Sequence, residues 1–239
     1  MDTAKIIWRD NQPFSAEFND VYFSSDNGLA ETEYVFLQGN QLAARWKQAD
    51  LKQFTIVETG FGSGLNFLCV AKLWLTCAPK DARLHFISIE KYPLSLADMT
   101  ETSRMWPTLN ALNSDFLTLY QTLIAQNAST EKSGDLGKNN INLTLLIGDI
   151  SHCLEMINKN IDAWFLDGFS PAKNPDMWSQ QLFGKMAELA NPHTTFSTFT
   201  ASSLVRRGLI KAGFHVSKQT GFGKKREMLT GMFSSQKVV

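Results

Sequence analysis

Residues 54–64 read Phe-Thr-Ile-Val-Glu-Thr-Gly-Phe-Gly-Ser-Gly, an apolar run that closes on an acid and passes at once into alternating glycines. No other stretch constrains the fold as strongly. A short, continuously apolar run suits a strand buried on both faces, which belongs in a parallel sheet covered by helices. Glycines let the backbone turn tightly and approach a ligand closely. The apolar helix expected over residues 65–76 then points its N-terminus at that ligand.

The same pattern recurs along the chain. Residues 84–90 (Leu-His-Phe-Ile-Ser-Ile-Glu), 143–147 and 163–166 are buried-type strands followed by Glu90, Asp149 and Asp167. Helical patterning over 94–105, 109–125 and 202–212 separates the strands, and 194–200 adds another. Residues 214–220 and 227–233 read as a terminal antiparallel hairpin capping one sheet edge. Short apolar strands alternating with helices predict an α/β fold, a Rossmann-like and mostly parallel sheet with helices on both faces.

The N-terminal part differs. Residues 6–24 alternate and carry turn residues at Asp10-Asn11, Pro13 and Asn19-Asp20, which predicts short antiparallel strands. Residues 28–46 read as helix, interrupted near Gly39-Asn40. Residues 1–50 are therefore expected to form a small β/α extension packed on a compact unit spanning 51–239. The polar stretch 127–142 reads as an exposed, mobile loop within that unit.

Composition narrows the function classes. With 239 residues and 44% hydrophobic side chains, the chain can build one large core. Lys+Arg and Asp+Glu are 23 each, which excludes a polycation that coats nucleic acid by net charge. Cys69, Cys77 and Cys153 make no disulfide framework and read as reduced thiols. There is no CxxC or HxxxH pair, and His85, His152, His193 and His215 have no metal-ligand spacing, so no metal is expected. The first residues lack the apolar region of a signal peptide. The most apolar stretch, 67–78, is broken by Lys72 and falls short of the ~20 residues needed to span a bilayer. The expected location is cytoplasmic, without a membrane partner.

In parallel sheets of this kind, ligands sit at the carboxyl ends of the strands. Gly60, Gly62 and Gly64 are spaced G-x-G-x-G, with Leu65 where a dinucleotide fingerprint requires its third glycine. That disfavours a nicotinamide oxidoreductase. The spacing, preceded by Glu58, resembles the first motif of class I methyltransferases that use S-adenosylmethionine. The cofactor-binding candidates are Glu58, Gly60, Gly62, Gly64, Asn66, Glu90, Lys91, Asp149 and Asp167. Glu90 suits both ribose hydroxyls. Asp149 suits the adenine amino group, the N-cap of the next helix, or both.

Longer motifs carry a closer resemblance. Residues 167–178, Asp-Gly-Phe-Ser-Pro-Ala-Lys-Asn-Pro-Asp-Met-Trp, stand with upstream WRDNQPFSAEFNDVYFS, GLAETEYVFLQGN and ETGFGSGLNF. Together they resemble the methyltransferase domain of the tRNA 5-methylaminomethyl-2-thiouridine biosynthesis family, MnmC/MnmD, over nearly the whole chain. The resemblance implies methyl transfer from S-adenosylmethionine to the amine of an aminomethyl group on the tRNA wobble uridine. Two-domain members add an FAD-dependent oxidase, an expected partner in cis or in trans. The chain to Val239 leaves no room for it, so it is expected to be either a stand-alone methyltransferase or a piece of a longer protein.

The chemistry assigns roles. A primary alkyl amine, with a pKa near ~10, is mostly ammonium at neutral pH and must lose a proton to attack. Asp167 is the candidate to hold the amine and take that proton; its alternative is a turn cap. Phe169 and Trp178 suit either stacking on the flipped base or core packing. Glu31 and Glu33 suit either the active site, as the resemblance suggests, or a solvated helix face. Lys224, Lys225 and Arg226 at the hairpin tip, with Arg206-Arg207, are the local basic groups for tRNA phosphates or else a solvated turn. Two other functions fit the motifs: a class I methyl- or aminopropyl-transferase acting on another amine, and a non-catalytic module that binds RNA or a partner.

Overall fold

The computed structural model describes residues 2–9, 12–23, 27–126 and 129–234. The turn expected at Asp10-Asn11, Ser24 and the start of the polar stretch (Asn127 and Ala128) lie outside them. Strands β1 (Ile6–Arg9), β2 (Gln12–Ser15) and β3 (Asp20–Val21) form a three-stranded antiparallel sheet. Helix α1 (Gly28–Thr32) is capped by the Asn27 side chain and widens into a π-helical stretch, Glu33–Gln38. The helix breaks at Gly39–Gln41, where Gln41 is left-handed, before α2 (Leu42–Arg45).

The interruption has a packing cause. A Cβ on Gly39 would lie 2.3 Å from Ser197 Oγ, so the segment crosses the sheet at contact distance. Buried Asn40 donates to the Phe36 carbonyl and accepts from Thr195 Oγ1, and Arg45 also reaches Thr195 Oγ1 at 2.8 Å.

The remaining elements alternate. They are β4 (Gln53–Thr59), α3 (Leu65–Cys77), β5 (Arg83–Glu90), α4 (Leu96–Ser103), α5 (Asn110–Ile124), β6 (Glu131–Asp135), β7 (Ile141–Ile147) and α6 (Ile150–Met156). Then follow β8 (Ile161–Leu166), α7 (Gln180–Glu188), β9 (Ala190–Thr198), α8 (Ser203–Lys211), β10 (Phe214–Thr220) and β11 (Glu227–Phe233). Among the described residues the large sheet has eight strands in the order β10-β11-β9-β8-β4-β5-β7-β6. The strands from β9 to β7 are parallel, and the terminal hairpin is antiparallel, as expected. Its last strand does not sit outermost: β11 inserts between β9 and β10.

Side chains alternate between two cores, as a doubly covered sheet requires. Ile56 and Phe165 join Phe67, Phe86, Phe116 and Tyr120 under α3 and α5. Val57, Trp164 and Leu166 join Leu154, Phe183, Val205 and Leu209 under α6, α7 and α8.

One expectation is overturned. Residues 131–135, read as mobile loop, form β6, an antiparallel edge strand on β7. A Cβ on Gly134 would lie 2.7 Å from Leu119 Cδ1, so the strand passes close against α5. The hairpin is pinned by buried Leu136, and the buried Lys132 ammonium donates to the Gln126 carbonyl. No helix among the described residues is long and apolar enough to cross a membrane.

Candidate active site

Strand order reverses between β4 and β8, and the carboxyl ends of the parallel strands open there onto a cleft of about 530 Å³. Such a switch point is where this class of sheet binds ligands. The N-terminal sheet and α1 form the opposite wall, through Phe18, Tyr22 and Glu31.

The glycine loop forms the floor. Gly60, Gly62 and Gly64 have φ of +85°, +51° and +70°, which disfavour a side chain. A Cβ on Gly60 would lie 3.0 Å from Gly168 Cα, so the β4 and β8 loops touch through bare backbone. Gly60 and Gly62 line the cleft. Gly64, expected to touch the cofactor, instead faces away, where a Cβ would lie 2.6 Å from Phe116 Cζ; its role is packing.

Glu90, at the end of β5, holds this loop. One oxygen accepts from Gly62 N at 3.0 Å and the other from Tyr92 N at 2.9 Å. Burial raises its pKa, and these backbone donors oppose the shift. Asp149 is the N-cap of α6, accepting from Ser151 N and Oγ, and it also lines the cleft. The Ser151 bonds and then Lys91, 3.3 Å away, hold its carboxyl below the usual range. Of the roles the sequence left open, the hydrogen bonds show the cap, on a residue that also lines the cleft.

Asp167 leaves β8 beside Gly168. Its backbone N–H donates to Thr59 Oγ1 at 3.1 Å, and its carbonyl accepts from that hydroxyl at 2.8 Å, clamping the ends of β4 and β8 together. Asn66 Nδ2 donates to Asp167 Oδ2 at 2.7 Å and to Glu58 Oε1 at 2.8 Å, while Asn66 Oδ1 accepts from Thr32 Oγ1 at 2.8 Å. Burial pushes the Asp167 carboxyl up to about 6, against the donors Gly168 N and Asn66. Such a value suits a group that exchanges a proton near neutral pH.

Glu58 is a second correction. It is fully buried, accepts from Ser88 Oγ at 2.5 Å, and lies behind Asn66 rather than on the cleft. Burial holds its carboxyl well above the usual range. Its link to the cleft is indirect, through Asn66.

The substrate candidates separate. Phe169 lines the cleft, but one face already stacks on Phe18, centroids 4.6 Å apart. Trp178 is 2% exposed, donates its Nε1 to the Phe169 carbonyl and packs on Phe199 in the core. It is too enclosed to stack on a base, which corrects that expectation. Glu31 faces the cleft, whereas Glu33 lies outside it. Lys224, Lys225 and Arg226 are all exposed, and Lys225 pairs with Glu31 on the cleft wall. Sequence reasoning missed Phe18, Tyr22 and Phe199. Phe199 follows β9 directly, so reading past every strand end would have found it.

The residues fit a nucleoside-type cofactor: a floor that side chains would fill, two carboxylates on its rim and backbone turned toward the cleft. Fold and site together define an α/β methyltransferase of the S-adenosylmethionine type. A family model described as S-adenosyl-L-methionine-dependent methyltransferase matches residues 111–234, and the chain belongs to that family, with S-adenosylmethionine as methyl donor. A relative from Methylobacillus flagellatus, the tRNA 5-methylaminomethyl-2-thiouridine biosynthesis bifunctional protein MnmC, is 47% identical over 97% of this chain and 35% of its own length. The protein of the same name from Marinomonas sp. is 44% identical over 98% of this chain and 34% of its own. The chain thus spans about a third of the length of the curated relatives it matches. The crystal structure of MNMC2 from Aquifex aeolicus superposes with a TM-score of 0.74 at 20% identity, covering 99% of this chain and 72% of that one, and shares the fold.

Proposed function

We propose that this chain transfers a methyl group from S-adenosylmethionine to the amine of a 5-aminomethyl-2-thiouridine at the tRNA wobble position. The names of the bifunctional relatives point to that nucleoside. The observation that carries the chemistry is Asp167, a cleft carboxylate with a pKa near 6, held by Asn66. When bound, S-adenosylmethionine supplies a methyl group on a cationic sulfur. Asp167 would hold the substrate amine toward that methyl group and take the proton the amine gives up. No net charge is created, so orientation and proton removal carry the acceleration.

The other roles follow from position. Gly60, Gly62 and Asn66 form the donor floor, and Glu90, Lys91 and Asp149 its rim. Glu58 and Gly64 support that floor from behind. Glu31 and Phe169 face the substrate side. Lys224 and Arg226, exposed at the hairpin tip, are the candidates for tRNA phosphates. Residues 1–50 serve as the extension that walls the cleft of the 51–239 unit. Such an enzyme works in the cytoplasm, beside an FAD-dependent oxidase acting on the same nucleoside.

Incubation with S-adenosylmethionine and tRNA carrying 5-aminomethyl-2-thiouridine, followed by nucleoside mass spectrometry, tests the reading. The expected product is heavier by one methylene; an unchanged nucleoside removes it. Lys224→Glu with Arg226→Glu should raise the tRNA KM and flatten its salt dependence, because fewer counterions are released. Glu90→Ala should weaken S-adenosylmethionine binding by about 1–3 kcal/mol, the range for a charged hydrogen-bond acceptor. Calorimetry on the folded variant checks this, and an unchanged affinity takes Glu90 out of the donor site.

A further inference from the structure

Lys225 keeps 46% of its side chain exposed, yet within the basic tip it is the residue whose ammonium is paired on the cleft wall. Its Nζ lies 2.6 Å from Glu31 Oε1 and 4.4 Å above the centre of the Phe199 ring, and all three residues line the cleft. A carboxylate on one side and an aromatic face on the other is the environment that binds an alkylammonium. Glu31 is mostly buried, with 13% of its side chain exposed, so its charge calls for a partner. Both charges also act on Asp167, Glu31 raising its pKa and Lys225 lowering it.

The tip does not depend on this contact for its position. Tyr34 donates its hydroxyl to the Thr220 carbonyl at 3.0 Å and packs on Phe222, centroids 6.0 Å apart. The turn closes through Gly221 N to Arg226 O and Lys225 N to Phe222 O, both 3.1 Å. The Lys225 side chain is therefore an arm on an independently anchored turn.

We infer that Glu31 and the face of Phe199 form a binding subsite for a primary alkylammonium, and that Lys225 occupies this subsite until the substrate amine displaces it. The lysine stem ends in the same group as an aminomethyl substituent at neutral pH, an ammonium on a methylene. The inference rests on the amine acceptor proposed above and adds a built-in competitor to it. An incoming amine must exchange with Lys225, which lowers its apparent affinity by the fraction of time the subsite is free. A ligand without a positive charge gains little from making that exchange.

The test titrates propylammonium chloride into the full chain, followed by ligand-observed saturation-transfer NMR, without donor or tRNA. Lys225→Met keeps the apolar stem and removes the charge, and should bind the probe about 10-fold more tightly, the gain for a subsite otherwise free about a tenth of the time. Lys225→Ala, a second variant with a different packing change, should move the same way. Adding Glu31→Gln or Phe199→Leu to Lys225→Met should abolish the gain. Equal or weaker binding in both Lys225 variants overturns the inference, as does a gain that survives Glu31→Gln. The tRNA assay separates this from the proposed function. Tighter probe binding without tRNA methylation keeps the subsite and removes the tRNA reading. Methylation with no change in probe binding does the reverse.

Discussion

Asp167→Asn should lower turnover at saturating donor by roughly 10²-fold or more, the contribution typical of a positioned general base. The substitution preserves shape. Its carbonyl oxygen can still accept from Asn66 Nδ2, and the clamp to Thr59 uses only backbone atoms of residue 167. What is lost is the capacity to take a proton. In the unaltered enzyme only ionised Asp167 can do so, and its carboxyl is pushed up to about 6. The rate should therefore climb with pH through about 6 and level off above it, and Asp167→Asn should erase that limb. Stability should move the opposite way. The fold holds the Asp167 proton more tightly than the unfolded chain, whose value is near 3.8, so this group's contribution is complete below about pH 4 and is lost as pH rises through 6. At pH 7 the amide variant should resist urea better, by on the order of 1 kcal/mol, with the gap closing toward pH 4. Full turnover in the variant would reduce Asp167 to a turn residue.

Asp167 shows how far a sequence can be read here. Its place is legible because a buried strand followed by an acid has few other meanings, and the end of a parallel strand faces the ligand. Its raised pKa is not, because the cause is distributed. Burial raises it, against the donors Gly168 N and Asn66, and that enclosure exists only because the strand order β8-β4-β5 sets the end of β4 at Thr59 and the start of α3 at Asn66 against residue 167. Glu58 and Gly64 carry the opposite lesson. Both belong to the motif that marks the cofactor loop, yet neither reaches the cleft. Consecutive residues of a strand point to opposite sides, and a loop that turns at every second residue presents only part of itself. Motif membership does not distinguish a residue that touches the ligand from one that supports it.

The misreadings have physical origins too. The β6 strand, Glu-Lys-Ser-Gly-Asp, has no apolar signal because an edge strand packs on little and takes its order from the ladder with β7. The tip residues 224–226 look alike as charges. They are told apart only by Tyr34 and Phe222, which anchor the turn so that one of the three basic residues, Lys225, meets Glu31 on the cleft wall. Phe18 and Tyr22 sit in a turn-rich segment whose apolar face could have been ordinary core. Their position on the cleft wall follows from packing of the small sheet, which periodicity does not report.

The buried amide between the two carboxyls gives the sharpest remaining expectation. Asn66 is the common donor to Glu58 Oε1 and Asp167 Oδ2, 2.8 and 2.7 Å away, and its own oxygen accepts from Thr32. Every polar atom of its side chain is used. Asn66→Asp is nearly isosteric but puts an acceptor where both neighbours need a donor. Three carboxyls then face one another in a site that already disfavours charge, and like charges raise each other's pKa. The variant must hold extra protons to keep the hydrogen bonds. The acid limb of its rate profile should therefore move up from about 6 by a unit or more. At pH 7 turnover should fall by about 2-fold for a one-unit move and about 10-fold for two units, and recover in part as pH rises. The same protons make the fold weaker in alkali: the folded variant holds them above the pKa of the unfolded chain, so stability falls as pH rises through the shifted values. Asn66→Ala removes the donors without adding charge. It should cost about 1–3 kcal/mol in stability for buried groups left unpaired, with a smaller shift in the limb. Rate profiles from pH 5 to 9 and urea titrations at the same pH values distinguish the two. An Asn66→Asp limb that stays at its original pH, with a loss of turnover equal at every pH, would show that Asn66 shapes the cleft without setting the proton affinity of Asp167.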